Sequence, residues 1–264
     1  MKLRLIRNGN VNFTCSNLFR WIIRISRFNN ENLFYKTLKR SRKLTDKNTV
    51  LIISSRQHGF LCRNEVQKLS IPAEYILEET GRNTAAAVFF AALASNPDDV
   101  LCITPSDHWI NDDSYYCNLI EFGIPEACQG KWVTFGIKPT KPATGYGYIK
   151  TININNKILK VQEFVEKPNR KKAIEFLNQK NYFWNSGIFL VTAKKCIDSF
   201  QRFQPELVKH ANECWKNKLT NNNENILINK YLKKIPSISL DFAIMEFEKD
   251  ISLLPFEGDW SDLG

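Results

Sequence analysis

The chain has 264 residues, 43% hydrophobic and 24% charged, an ordinary globular composition with length enough for one large α/β domain or two small ones. Its net charge of +10 points to nucleic acid until it is located: residues 1–50 hold 12 basic and 2 acidic side chains, and residues 51–264 hold 25 of each. The excess belongs to one segment, so the main body carries no nucleic-acid signature. No apolar run approaches the roughly 20 residues of a membrane span, and the basic start Met1–Arg7 lacks the apolar region of a signal peptide. The seven cysteines are scattered without a Cys-x-x-Cys pair, which excludes zinc spacing and fits a reducing cytoplasm better than a disulfide scaffold.

In chain order, residues 1–30 show no defensible strand–turn–helix pattern. Within them Arg20, Arg24 and Arg27 share one helical face opposite Trp21, Ile22, Ile25 and Phe28. That stretch reads as a short helix packing on its own domain, or as a basic amphipathic segment on an anionic surface. Alternation then becomes regular. Helices are expected over 32–42, 57–69 and 83–95, and buried strands over 49–54, 74–77 and 99–104. Near-continuous apolar strands in this rhythm imply a parallel sheet covered on both faces. Longer strands follow over 132–137, 147–154, 158–165 and 188–191, with Asn155-Asn156 as a hairpin turn. Helices are expected over 170–178, 193–203 and 205–218, and a polar loop over 220–225. No linker is long enough to split the chain, so residues 1–264 are expected to form one domain with an atypical basic segment at 1–30.

Several positions carry chemistry. Asp107 stands just past a buried strand, where a carboxylate either caps the next turn or ligates Mg²⁺. Glu166 and Lys167 end a strand; adjacent residues there face opposite ways unless a turn begins, and Pro168 favours that break. Asn185-Ser186-Gly187 offers an amide that donates and accepts, beside a glycine that permits close backbone approach. Thr144-Gly145-Tyr146-Gly147 follows the same logic. Asn83 or Thr84 is placed to cap the alanine-rich helix. Asp262, taken alone, is a solvated carboxylate.

Together these segments resemble the sugar-phosphate nucleotidyltransferase family, most closely its mannose-1-phosphate guanylyltransferase branch. Thr104-Pro105-Ser106-Asp107-His108 is similar to the family's Leu-Pro-x-Asp-His, and Trp260-Ser261-Asp262-Leu263-Gly264 to its Trp-x-Asp-x-Gly. Phe164–Pro168, Trp184–Phe189, Glu78–Ala87 and Ser237–Glu246 match further signatures in family order. The resemblance implies a Rossmann-like α/β fold, with a mixed, mostly parallel sheet flanked by helices. It implies Mg²⁺ held by Asp107 and Asp262, and a sugar phosphate contacted by Lys167. The sugar would meet Gly145, Glu166, Asn185 and Asp241, and the nucleotide Gly81, Arg82, Asn83 and Thr84. The implied substrates are GTP and mannose 1-phosphate, in a cytoplasmic enzyme for which a homo-oligomer stays open. The family's Gly-Gly-x-Gly-x-Arg loop has no counterpart in Arg7–Ser16, which keeps a single glycine. Two expectations therefore stand: guanylyl transfer, or a sugar-nucleotide-binding homologue or gene remnant without the phosphate loop.

Overall fold

The computed structural model describes residues 3–6, 31–45, 49–152, 154 and 156–262. Strand–helix alternation builds the first part: β1 (Leu3–Ile6), α1 (Leu33–Thr45), β2 (Val50–Ser55), α2 (Gly59–Leu69), β3 (Ala73–Glu78), α3 (Asn83–Leu93) and β4 (Val100–Ile103). A short β5 (His108–Ile110) and α4 (Asp113–Cys128) lead to β6 (Trp132–Ile137), β7 (Tyr148–Thr151), β8 (Leu159–Val165), α5 (Arg170–Leu177) and β9 (Tyr182–Thr192). Then come α6 (Ala193–Phe203), α7 (Pro205–Lys216), β10 (Leu219–Asn221), β11 (Glu224–Leu227), α8 (Asn229–Leu232), a π-helical turn at Asp241–Met245, β12 (Ile251–Phe256) and β13 (Trp260–Asp262).

Seven strands pair in the order β1-β4-β9-β6-β12-β8-β7, four more as β10-β11-β3-β2, and β13 pairs with β5. The period-2 alternation of strand side chains explains the two cores. Leu51, Ile53, Leu101 and Ile103 enter one layer with α3, α6 and α7. Val50, Ile52, Val100 and Cys102 enter the other, with α1, α2 and α4. Helix α3 is buried from Ala85 to Ala92; small residues let it pass close to α6 and α7, with Phe89 on Phe200 at 5.2 Å and Phe90 on Trp215 at 6.0 Å.

Four expectations change. Both large sheets are mixed, and parallel pairing does not dominate among the described strands. β1–β4 and β2–β3 are parallel because helical crossovers join such strands, but β9 runs antiparallel to β4, β6 and β7. The strand expected over 188–191 begins six residues earlier at Tyr182, because β7 and β6 supply ladder partners for Tyr182–Asn185. The polar segment 220–225 closes a β10–β11 hairpin. Leu3–Ile6 is a strand in register with Val100–Ile103, held by its neighbour rather than by any local pattern. The amphipathic stretch 19–28 and the segment 7–16 lie outside the described residues. No helix among the described residues is long and apolar enough to cross a membrane.

Candidate active site

The first half of the site is built where β7, β8 and β9 meet. Asn185 of β9 donates its backbone N–H to the Gly147 carbonyl at 2.8 Å. Its side-chain oxygen accepts from Gly187 N at 3.0 Å and from Thr134 Oγ1 at 3.4 Å, while Nδ2 donates to Asp241 Oδ1 at 2.8 Å. The amide is therefore oriented at both ends, with one N–H left for a ligand. The Gly187 that closes this turn has φ +69°, a left-handed conformation that side chains disfavour. Glu166 sits against Gly147 so closely that a Cβ there would lie 2.6 Å from its Oε2. Gly145, by contrast, has open space beside its Cα.

The turn after β8 falls at Lys167, which adopts φ 42°. That bend brings Lys167 Nζ to 3.5 Å from Glu166 Oε1, with the lysine side chain 63% exposed and the glutamate 7%. The lysine is thus free to reach an anionic ligand while the carboxylate stays in the floor. Burial raises the Glu166 pKa against the opposing Lys167 charge, and Glu246 adds to the rise. Burial, followed by the Glu166 charge, pushes Asp241 up to about 7. This floor of carboxyl groups around one amide is a set of hydroxyl acceptors and donors, with the exposed Lys167 at its rim.

The second half is a clip of two three-residue strands. β4 ends in the buried Ile103, Thr104–Asp107 turns the chain, and β5 pairs antiparallel with β13, Asp262 opposite His108. Asp107 and Asp262, far apart in sequence, thereby reach the same end of one ladder. His108 is buried and held neutral: burial lowers its pKa to about 4 against the pull of the Asp262 charge, and Arg40 lowers it further. Trp260 Nε1 donates to His108 Nδ1 at 3.2 Å. Arg40 of α1 is 2% exposed and braces this clip, bonding Thr37 Oγ1 at 3.0 Å and the His108 carbonyl at 3.5 Å, with Asp113 3.6 Å away.

The two halves touch. A Cβ on Gly187 would lie 3.4 Å from the Pro105 ring and 3.9 Å from His108 Cε1. The Tyr146 ring stands 5.1 Å from Trp184 and 5.6 Å from Trp260. Asp107, Asp262, Gly147, Glu166, Asn185 and Asp241 therefore belong to one region. Among the described residues no group of three or more His, Cys, Asp or Glu side chains is arranged to hold a metal. Two hard carboxylates with the remaining positions left to phosphate and water still match the way Mg²⁺ is usually bound.

The segment expected to meet the nucleotide is tied down by its own side chains. Arg82 Nε donates to the Ile235 carbonyl at 2.6 Å, and Nη2 donates to the same oxygen. Thr84 Oγ1 accepts from Leu240 N at 2.6 Å, and Ala85 N reaches the Ile238 carbonyl at 3.2 Å. Asn83, at φ 67°, accepts the Thr84 N–H on its side-chain oxygen at 2.8 Å. Gly81 follows β3 in this turn. Just before it, Glu78 is 3% exposed and pushed to about 8 by burial, and its Oε1 has no hydrogen-bond partner among the described residues. Sequence reasoning passed over Glu78, Gly147, His108 and Trp260 as separate contributors. All four stand inside quoted motifs, but the burial of Glu78 has no sequence signal.

Residues 25–264 match the family model described as Nucleotidyl transferase. Xanthan biosynthesis protein XanB of Xanthomonas campestris pv. campestris is 35% identical over 218 residues, 81% of this chain and 46% of that protein. A mannose-1-phosphate guanylyltransferase of Escherichia coli is 33% identical over 244 residues, 88% of this chain and 52% of that one. The chain thus spans about half the length of the curated relatives it matches. A crystal structure of mannose-6-phosphate isomerase from Helicobacter pylori superposes with a TM-score of 0.89 at 29% identity, covering 99% of this chain and 100% of that one. With the family model spanning most of its length and the fold shared throughout, the chain belongs to the nucleotidyl transferase family.

Proposed function

We propose that the chain transfers a guanylyl group from GTP to α-D-mannose 1-phosphate, forming GDP-mannose. A phosphate oxygen of the sugar phosphate attacks the α-phosphorus of GTP, a new P–O bond forms, and the α–β bridging bond breaks as pyrophosphate leaves with the electron pair. The observation that carries this reading is the meeting of the Asp107–Asp262 clip with the Gly147–Glu166–Asn185–Asp241 floor. Catalysis here is positioning plus charge neutralisation, with no covalent enzyme intermediate. Lys167, exposed beside the buried Glu166, binds the sugar phosphate. Glu166, Asp241 and the free N–H of Asn185 take sugar hydroxyls, and Gly145 leaves open space for the ring. Gly81, Arg82, Asn83 and Thr84 shape the nucleotide side by anchoring their turn. Glu78, buried and held protonated near neutral pH, stands just before that turn. Mg²⁺, held by Asp107 and Asp262, would supply charge neutralisation on the triphosphate.

Support comes from the family membership and from relatives named as mannose-1-phosphate guanylyltransferases. The test is GDP-mannose formation from GTP, mannose 1-phosphate and Mg²⁺, beside an Asp107→Asn control. Turnover that the control loses supports transfer. A folded chain that binds mannose 1-phosphate or GDP-mannose without turnover would instead be a binding homologue, the reading favoured by the single glycine in residues 7–16.

A further inference from the structure

The β5–β13 ladder is three residues long on each strand and, among the described residues, joins no other sheet. Two-stranded ribbons of this length are marginal in water, so something besides backbone pairing must hold Asp262 near Asp107. The contacts around Trp260 do this. Its ring packs edge-on against His108 at 5.2 Å and against Tyr146 at 5.6 Å, and its N–H is spent on His108 Nδ1 at 3.2 Å. Asn111 closes the far end of the ladder on Asp259, its N–H donating to the carbonyl at 3.3 Å and its Nδ2 to Oδ2 at 3.4 Å. Because Nδ1 accepts, the proton of a neutral His108 resides on Nε2.

We propose that Trp260 and His108 form a latch that sets divalent-cation affinity from outside the ligand set: the indole N–H fixes His108 as its Nε2–H tautomer and pins β13 to β5, holding Asp262 beside Asp107. Both are positioning residues. The inference rests on the assignment of Asp107 and Asp262 to Mg²⁺, and it adds residues for which that assignment gives no role. The geometry favours the latch over simple packing, because a ring contact alone would not use the indole N–H or select a tautomer. Partners that orient ligands from behind typically change metal affinity by about 10–100-fold when removed.

Trp260→Phe keeps a ring against His108 and Tyr146 but removes the N–H. Free Mn²⁺ is titrated into the full chain and followed by electron paramagnetic resonance. ¹⁵N shifts report the His108 tautomer, readable because the chain has three histidines. The expected result is an unprotonated Nδ1 in the native chain, lost as a unique state in Trp260→Phe. Mn²⁺ affinity should fall about 10-fold, while mannose 1-phosphate binding and the thermal midpoint stay close to native. Native Mn²⁺ affinity in Trp260→Phe, with Asp262→Asn losing it, overturns the latch and leaves the metal reading intact. Equal Mn²⁺ binding by the native chain and Asp262→Asn overturns both. A native His108 protonated on Nδ1 overturns the latch even if the Trp260 variant does not fold.

Discussion

Gly147 shows how a site is decided by a single missing carbon. Its carbonyl holds Asn185 at 2.8 Å, and its Cα leaves room for Glu166 Oε2 where a Cβ would come within 2.6 Å. Gly147→Ala therefore forces the Glu166 carboxyl to move, in the part of the site proposed to hold the sugar. Misplacing such a group by about 1 Å can cost roughly 10²-fold in rate. The expected outcome is a kcat/KM loss of that order, expressed in KM for mannose 1-phosphate with KM for GTP little changed. Gly145→Ala meets no protein atom within 4 Å, so it should leave thermal stability near native while crowding any sugar in the space beside it. Steady-state kinetics with each substrate varied separately, together with melting curves, check both variants.

At the scale of elements, β9 is the organiser. Its second half pairs with β4 and β6 as ordinary buried strand, and its first half carries Trp184–Gly187 between β6 and β7. The register of β6 against β9 shifts between Thr134 and Gly136, and this irregularity re-aims the strand where the site begins. Gly136 is needed at that point for packing: a Cβ would lie 2.8 Å from Phe183 Cβ and 2.8 Å from Leu253 Cδ1. Gly136→Ala is expected to destabilise the protein by about 1–3 kcal/mol, the usual cost of overpacking a core, read from the urea midpoint at constant slope. Phe200→Ala removes the fully buried ring that α6 packs on Phe89 of α3, and should cost about 3–5 kcal/mol. That second loss lies on the layer away from β5 and β13, so Mn²⁺ affinity in the folded fraction should stay native.

For the whole molecule, the buried carboxyls determine how stability follows pH. Burial raises Glu78 from 4.5 to about 8 and Asp241 from 3.8 to about 7. Across that window the folded chain holds protons that the unfolded chain has released, so stability is highest below about pH 4 for these two groups and falls as pH rises towards 8. Neutral His108 acts the other way, its pKa lowered from 6.5 to about 4; its share of stability is present above pH 6.5 and is lost on acidification. Urea unfolding measured from pH 5 to pH 8 should therefore show a decline that Glu78→Gln flattens. An unchanged slope in that variant would mean that Glu78 is not the buried acid responsible.

Much of this architecture was legible in the residues. Strand periodicity placed β6 at 132–137 and α6 at 193–203 with their observed ends, because continuous apolar runs and amphipathic spacing are local signals. Motif order pointed to the carboxylates and to Asn185, since polar groups at strand ends mark where a sheet opens. The pairing of β5 with β13, the close approach at Gly147, the burial of Glu78 and the use of Arg82 to anchor Ile235 were not legible. Each is a relation between segments distant in the chain, and no local pattern encodes which partner will arrive. The sequence by itself determined the family and nominated the candidate site residues, because these follow from residue type and order. Only the tertiary structure decided which groups meet, which are buried and which proton each one keeps, because neighbours set distance and desolvation.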